Sequence, residues 1–200
     1  FYEGAAGLAA VMRQCGLVSA HAVIVPAAQR CLQAKGLYDL SFALYLHKTG
    51  QNNPMELIVT NDVSFSEDGS IQIISGPNQG GKTTYLRSIG ILQVLAQAGF
   101  PVPAVQAEIS PADQIFTHFP VDEMPESHEG RLGEELDRML VILQQTTPDS
   151  LILMNESFAS TNAREGSQIA ENVLSTIALI GTRCAFVTHL YEFAGKVDTI

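Results

Sequence analysis

Apolar residues along this chain repeat with two different periods, and the alternation between them predicts the order of its elements. Small and apolar residues on one face of residues 1 to about 15 predict a helix, with Gly16 as its stop. Residues 17–36 are mixed, punctuated by Pro26 and Gly36. Beyond Leu37 the short runs "MELIVT", "VSF" and "IQIIS", separated by the turn-like "ND" and "SEDG", predict strands. A Gly-rich loop and a long helical stretch, Lys82 to Ala98, follow. "AEI" and "QIFTHF" predict two more strands. In "RLGEELDRMLVILQQ" the residues Leu132, Leu136, Met139, Leu140 and Leu143 predict one apolar helical face. "SLILM" and "RCAFVTH" are near-continuous apolar runs, expected of buried strands, and they flank a predicted helix, "AREGSQIAENVLSTIALI". Helices alternating with such strands predict an α/β fold whose sheet is mostly parallel and flanked by helices. No internal repeat or low-complexity segment interrupts it.

Composition narrows the class. The 200 residues suffice for a sizeable core, and at 46% hydrophobic the chain is not a disordered segment. A formal net charge of −10 repels phosphate backbones, so the main DNA-gripping surface is not expected here. Cys15, Cys31 and Cys184 are odd in number and far apart, which reads as three reduced thiols in a cytoplasmic protein. No apolar run reaches the ~18 residues of a membrane helix, so no membrane partner is expected. "FYEGAAGLAAVMRQ" lacks the basic leader of a secretory signal. With no initiating Met and an abrupt end at "KVDTI", the expectation is a piece of a longer protein.

The chemistry concentrates in three stretches. "GPNQGGKT", Gly76 to Thr83, fits G-x-x-x-x-G-K-T between a predicted strand and a predicted helix. Glycines let backbone N–H groups curl around phosphate oxygens, and the helix start adds positive dipole. Gly76, Pro77, Asn78, Gln79, Gly80, Gly81, Lys82, Thr83 and Thr84 are therefore the candidate ATP/ADP-binding residues. Lys82 is expected to reach the β- and γ-phosphates, and Thr83 to ligate Mg2+. "LILMNE" supplies the second stretch: Glu156 is the candidate general base, while Asn155 stands where an acid is usual. Asn155 and Glu156 are expected to meet Mg2+ through its waters. His189, ending "CAFVTH", is the third candidate, a sensor of the γ-phosphate. Among the other histidines, His21, His47, His118 and His128 lack a motif and read as ordinary. The five methionines read as core or loop residues. "VDEMPESHEG" reads as a mobile loop, and its acidity opposes a small-molecule kinase, which needs a basic lid.

Together these pieces resemble the ATPase domain of the MutS mismatch-recognition family. "GPNQGGKTTYLR" resembles its phosphate loop, with Gln79 where Met is usual. "VPAVQAEISPADQIFTHF", "LILMNESFASTNAREG" and "FVTHLYEF" resemble successive segments of the same domain, and the likeness covers roughly residues 57–193. It implies a P-loop NTPase of ABC-ATPase type. Residues 1–36 would be a helical connector, the remnant of an upstream domain, and 37–200 the P-loop ATPase domain, cut short at its C-terminal end. It further implies ATP hydrolysis, expected to be slow because Asn155 replaces the usual Asp, with nucleotide state controlling a DNA-bound homodimer with composite ATP sites, and DNA contacts through domains absent here. The alternative is a nucleotide-gated dimerisation module with little or no hydrolysis. Several positions depart from the family pattern. Asn155 replaces Asp, Ala159 replaces Arg, and Gly130 replaces the Ser that opens the signature helix and reaches the partner's nucleotide. Ile58 stands where an aromatic packs on adenine. Arg131, beside Gly130, is a candidate contact across the dimer.

Overall fold

A computed structural model describes residues 2–65, 70–120 and 130–189. The chain divides into two compact units, Phe1–Asp68 with Thr84–Pro111, and Gly69–Thr83 with Ala112–Ile200. The stretch 121–129, which includes Met124 and His128, and the aromatics after His189 lie outside the described residues.

In the first unit, helix α1 (Tyr2–Gln14) ends as its sequence predicts: Gly16 N–H donates to the Arg13 carbonyl at 3.1 Å and Leu17 N–H to that of Met12 at 2.9 Å. This pair of bonds is the Schellman closure of a helix C-terminus. Met12, Cys15, Leu17, Tyr38, Leu40 and Ala43 form a buried cluster. The unit's sheet has the order β1-β5-β2-β3, from β1 (Val23–Ile24), β2 (Leu32–Leu37), β3 (Asn61–Phe65) and β5 (Gln106–Ile109). Strand β2 runs antiparallel to both β3 and β5, whereas β1 and β5 are parallel. The expectation of a mostly parallel sheet is therefore corrected here. Residues of β2 and β5 alternate between buried and exposed, the pattern of a strand with one solvated face, which antiparallel sheets tolerate.

Two further expectations fail in this unit. "MELIVT" is not a strand. Pro54–Glu56 form a 3-10 turn, held by an Asn53 side-chain donation to Glu56 at 2.8 Å, and Leu57 and Val59 are exposed. Conversely, α2 (Leu40–Lys48) went unpredicted; Asp39 caps it by accepting from Phe42 N–H at 3.1 Å. Such a cap contributes about 1 kcal/mol. The long helix α3 (Lys82–Gln97) buries Leu86, Ile89 and Leu92 at helical spacing.

The second unit is built on a fully parallel sheet of order β4-β8-β7-β6, from β4 (Ile71–Ile74), β6 (Ile115–His118), β7 (Leu151–Asn155) and β8 (Arg183–Val187). All five residues of β8 and the first four of β7 are buried, as their unbroken apolar runs predict. Helix α5 (Ala163–Ile180) lays Gly166, Ala170, Val173, Leu174 and Ile177 on one buried face. Helix α4 (Arg131–Gln145) buries a different stripe from the predicted one. Met139 and Ile142 are buried and Leu132 and Leu143 pack beside them, but Leu136 and Leu140 face solvent. Glu135 takes the inward place, only 5% exposed, because its carboxylate has a buried partner. Cys15, Cys31 and Cys184 are buried, and none is in a disulfide among the described residues. Among the described residues, no helix is long and apolar enough to cross a membrane.

Candidate functional site

Ile74 of β4 and Asn155 of β7 are both paired with Val187 of β8, so three parallel strands run out in one row. The ladder continues past it: Thr188 N–H donates to the Ile74 carbonyl at 3.0 Å, and Glu156 N–H to that of Val187 at 2.8 Å. Beyond this row lie the Gly-rich loop after β4, Glu156 after β7 and His189 after β8. Crevices at the carboxyl ends of parallel strands are where ligands bind in α/β sheets.

The side chains converge. Thr83 Oγ1 donates to Asn155 Oδ1 at 2.9 Å. Lys82 Nζ donates to the carbonyls of Gly76 at 2.8 Å and Pro77 at 3.1 Å, and stands 4.0 Å from Glu156 Oε1. His189 Nδ1 contacts Glu156 Oε2. All three predicted catalytic residues thus meet at the same strand ends, and Thr83 and Asn155 meet beside them. Gln79 and Gly81 have φ of 64° and 81°, so the loop winds through left-handed conformations, and Gly80 N–H donates to the Pro77 carbonyl at 3.2 Å. Residues Pro77 to Gly81 are exposed. Thr84 continues α3, in the part of the chain that belongs to the first unit. Ile58 belongs to the first unit, where it lies half-buried against the cluster around Met12 and Tyr38. Gly130 caps α4 without a side-chain hydrogen bond, and Arg131 is the first residue of that helix.

Thr83 hydroxyl, Asn155 carbonyl oxygen and Glu156 carboxylate make an all-oxygen donor set with one negative charge. That suits a hard cation such as Mg2+, which keeps several waters and takes further oxygens from phosphates.

The loop after Glu156 holds residues that motif reading passed over. Glu156 and Phe158 have φ of 49° and 64°, and for side chains this large the left-handed region costs of order 1–2 kcal/mol each. Three contacts hold the turn. Glu135 Oε2 accepts from Phe158 N–H at 2.9 Å. His118, 1% exposed, bonds Ser157 Oγ through Nδ1 at 2.7 Å and the Glu135 carbonyl through Nε2 at 3.0 Å. Burial pushes the His118 pKa down from its ordinary value; the Glu135 carbonyl opposes this, Arg138 adds to it, and the Glu135 carboxylate opposes it. A neutral ring serves both contacts, with Nε2–H donating to the carbonyl and Nδ1 accepting from the Ser157 hydroxyl, which it shares with the His118 carbonyl 3.2 Å away. From the other side, Gly166 lets α5 approach: a β-carbon there would lie 2.6 Å from the Phe158 carbonyl oxygen. His118 is therefore not an ordinary histidine. The available signal was Glu135, a carboxylate at helical spacing between Leu132 and Met139.

The family model described as MutS domain V matches residues 72–199. The chain belongs to the MutS family. It is 37% identical over 148 residues to the DNA mismatch repair protein MutS of Brevibacillus brevis, covering 72% of this chain and 17% of that protein. It is 39% identical over 137 residues to the protein of the same description from Chlorobium phaeobacteroides, covering 68% of this chain and 16% of the relative. It is 33% identical over 143 residues to DNA mismatch repair protein MutS 2 of Halobacterium salinarum, covering 71% and 17%. The chain thus spans about a sixth of the length of these relatives.

Proposed function

We propose that this chain is the P-loop ATPase part, of ABC type, of a MutS-family protein that uses ATP to control a DNA-bound dimer. The observation that carries the reading is the 2.9 Å bond between Thr83, at the end of the phosphate loop, and Asn155, at the end of the strand leading to Glu156. A Gly-rich turn serving only as a connection has no reason to bring a helix-start hydroxyl onto a carboxamide beside an acid and a lysine.

In this mechanism the backbone N–H groups from Asn78 to Thr83, that of Gly80 leaving the Pro77 carbonyl, and the Lys82 ammonium bind the phosphates. Lys82 exchanges its two loop carbonyls for phosphate oxygens. Thr83, and through water Asn155 and Glu156, would hold Mg2+, which would supply neutralisation of the phosphate charge. Glu156 takes a proton from a water aimed in line at the γ-phosphate, and His189 orients the Glu156 carboxylate that it contacts. DNA contacts and mismatch reading are assigned to parts of the protein outside this chain. The description of its relatives as DNA mismatch repair proteins supports a DNA-repair role for the whole protein, and the acidity of this chain agrees with DNA contacts lying elsewhere.

A second reading, a nucleotide-gated dimerisation module that hydrolyses almost nothing, is favoured by the uncharged Asn155 and by Gly130. Single-turnover hydrolysis in the full-length protein separates the two. Release of phosphate to water that depends on Mg2+ is expected; a bound but unhydrolysed γ-phosphate over hours would favour the gate.

Arg131, next to Gly130 at the start of α4, is proposed to contact nucleotide bound by the partner copy, since a guanidinium grips phosphate in two places. Mixing Lys82→Ala protein with Arg131→Ala protein tests this. If Arg131 acts across the dimer, one composite site in each mixed dimer keeps both residues, and the mixture should exceed either variant alone. Failure to exceed them, with Arg131→Ala alone fully active, would sink the idea.

A further inference from the structure

Helix α4 presents Glu135 to the interior, where one carboxylate oxygen accepts the N–H of Phe158 at 2.9 Å. The carbonyl of the same residue meets His118 Nε2 at 3.0 Å, and His118 Nδ1 meets Ser157 Oγ at 2.7 Å. One helical residue therefore ties down, directly and through a histidine, the two positions that follow Glu156. Burying a carboxylate is costly, and a helix that needed only to pack would place a Leu between Leu132 and Met139. The cost is offset by what the carboxylate holds. Glu156 and Phe158 both sit at positive φ, a conformation that persists only where surrounding contacts impose it. Released, this backbone would relax to negative φ and swing the Glu156 side chain away from Lys82 and His189.

We infer that Glu135 is a positioning residue for the reaction, holding the Phe158 N–H so that the turn aims the Glu156 carboxylate at its water. The inference rests on the ATPase reading. Glu135 is buried, and it acts through the backbone of 157–158. His118 and Ser157 form the second arm of the clamp.

The test separates reach from charge. Glu135→Gln keeps a carbonyl oxygen at the same distance from Phe158 N–H but removes the charge. Glu135→Asp keeps the charge but is one methylene too short. In the full-length protein, Glu135→Asp is expected to lower kcat roughly tenfold or more, as misplacement of a general base does, with KM and ATP affinity changed less than about twofold. Glu135→Gln is expected to stay within about threefold of wild type in kcat, since the bond to the backbone survives. Amide exchange at Phe158 should be protected in wild type and Glu135→Gln and fast in Glu135→Asp, with the folded fraction checked by circular dichroism at the assay temperature. If Glu135→Asp unfolds, Ser157→Ala cuts the other arm and should lower kcat in the same selective way. Equal kcat in Gln and Asp variants, or a loss confined to KM, would overturn the inference while leaving the ATPase reading standing. Wild-type protein that binds ATP but never hydrolyses it would remove both.

Discussion

Lys82→Ala should abolish measurable ATP binding in calorimetry while leaving the fold intact. The Lys82 side chain is nearly enclosed and its ammonium lies along the loop that carries it, where the proposal places the phosphates. Charge-assisted hydrogen bonds contribute about 1.5–3 kcal/mol each, and two of them lost to alanine lower affinity by about a hundredfold or more. The fold should tolerate the change because the two carbonyls that lose Lys82, those of Gly76 and Pro77, lie on an open loop that water can reach. Thermal melts of wild type and variant should agree within a few degrees. Unchanged affinity for ATP and ADP would remove the phosphate-loop reading altogether, and with it the roles given to Thr83 and Asn155.

What could be read before the structure depended on whether a local pattern had one physical cause. Strands β7 and β8 are buried on both faces, and "LILM" and "CAFV" are apolar runs too short for helices, so length decides for strands; the bounds of α5 are marked by the Asn162 cap, which accepts from Glu165 N–H at 3.0 Å, and by Gly181. The loop proposed to bind phosphate stands out because glycine, lysine and threonine at fixed spacing answer one chemical demand. The first unit was harder. In "LQAKGL" the buried Leu32, Ala34 and Leu37 are interrupted by a register shift at the Gly36 bulge, which breaks the period that would mark a strand. In "LSFALYLHK" the residues from Phe42 to Leu46 are apolar without a break, so periodicity does not distinguish helix from strand, and only the Asp39 cap does. The clamp around Phe158 joins residues 23 and 39 positions apart, a relation no local window contains. Asn155 was recognised as a departure from the family, yet its partner, Thr83, is 72 positions away and had to be seen in space.

Glu156→Gln should nearly stop turnover and spare binding. The carboxamide fills the same volume but cannot take a proton, and a positioned general base supplies roughly 10²–10⁴ in rate. The ATP affinity of the variant should match wild type, because the proposed mechanism assigns Glu156 to the attacking water and the phosphates to the Gly-rich loop and Lys82. Asn155→Asp is the opposite case and provides the internal control. Aspartate keeps the oxygen that accepts from Thr83 and adds a negative charge next to Glu156. Without a cation the two neighbouring carboxylates repel, so the free variant should melt slightly lower. With nucleotide and Mg2+ that charge acquires a partner, and one extra charge-assisted acceptor contributes on the order of 1 kcal/mol, a several-fold tightening of Mg2+ and a several-fold rise in rate. Steady-state rates across a Mg2+ titration, run on wild type and both variants, test the pair together. Loss of rate in Glu156→Gln alongside gain in Asn155→Asp is expected. A fall in both rate and Mg2+ affinity in Asn155→Asp would mean that the neutral amide serves the bond to Thr83 in the nucleotide-free state, not the cation.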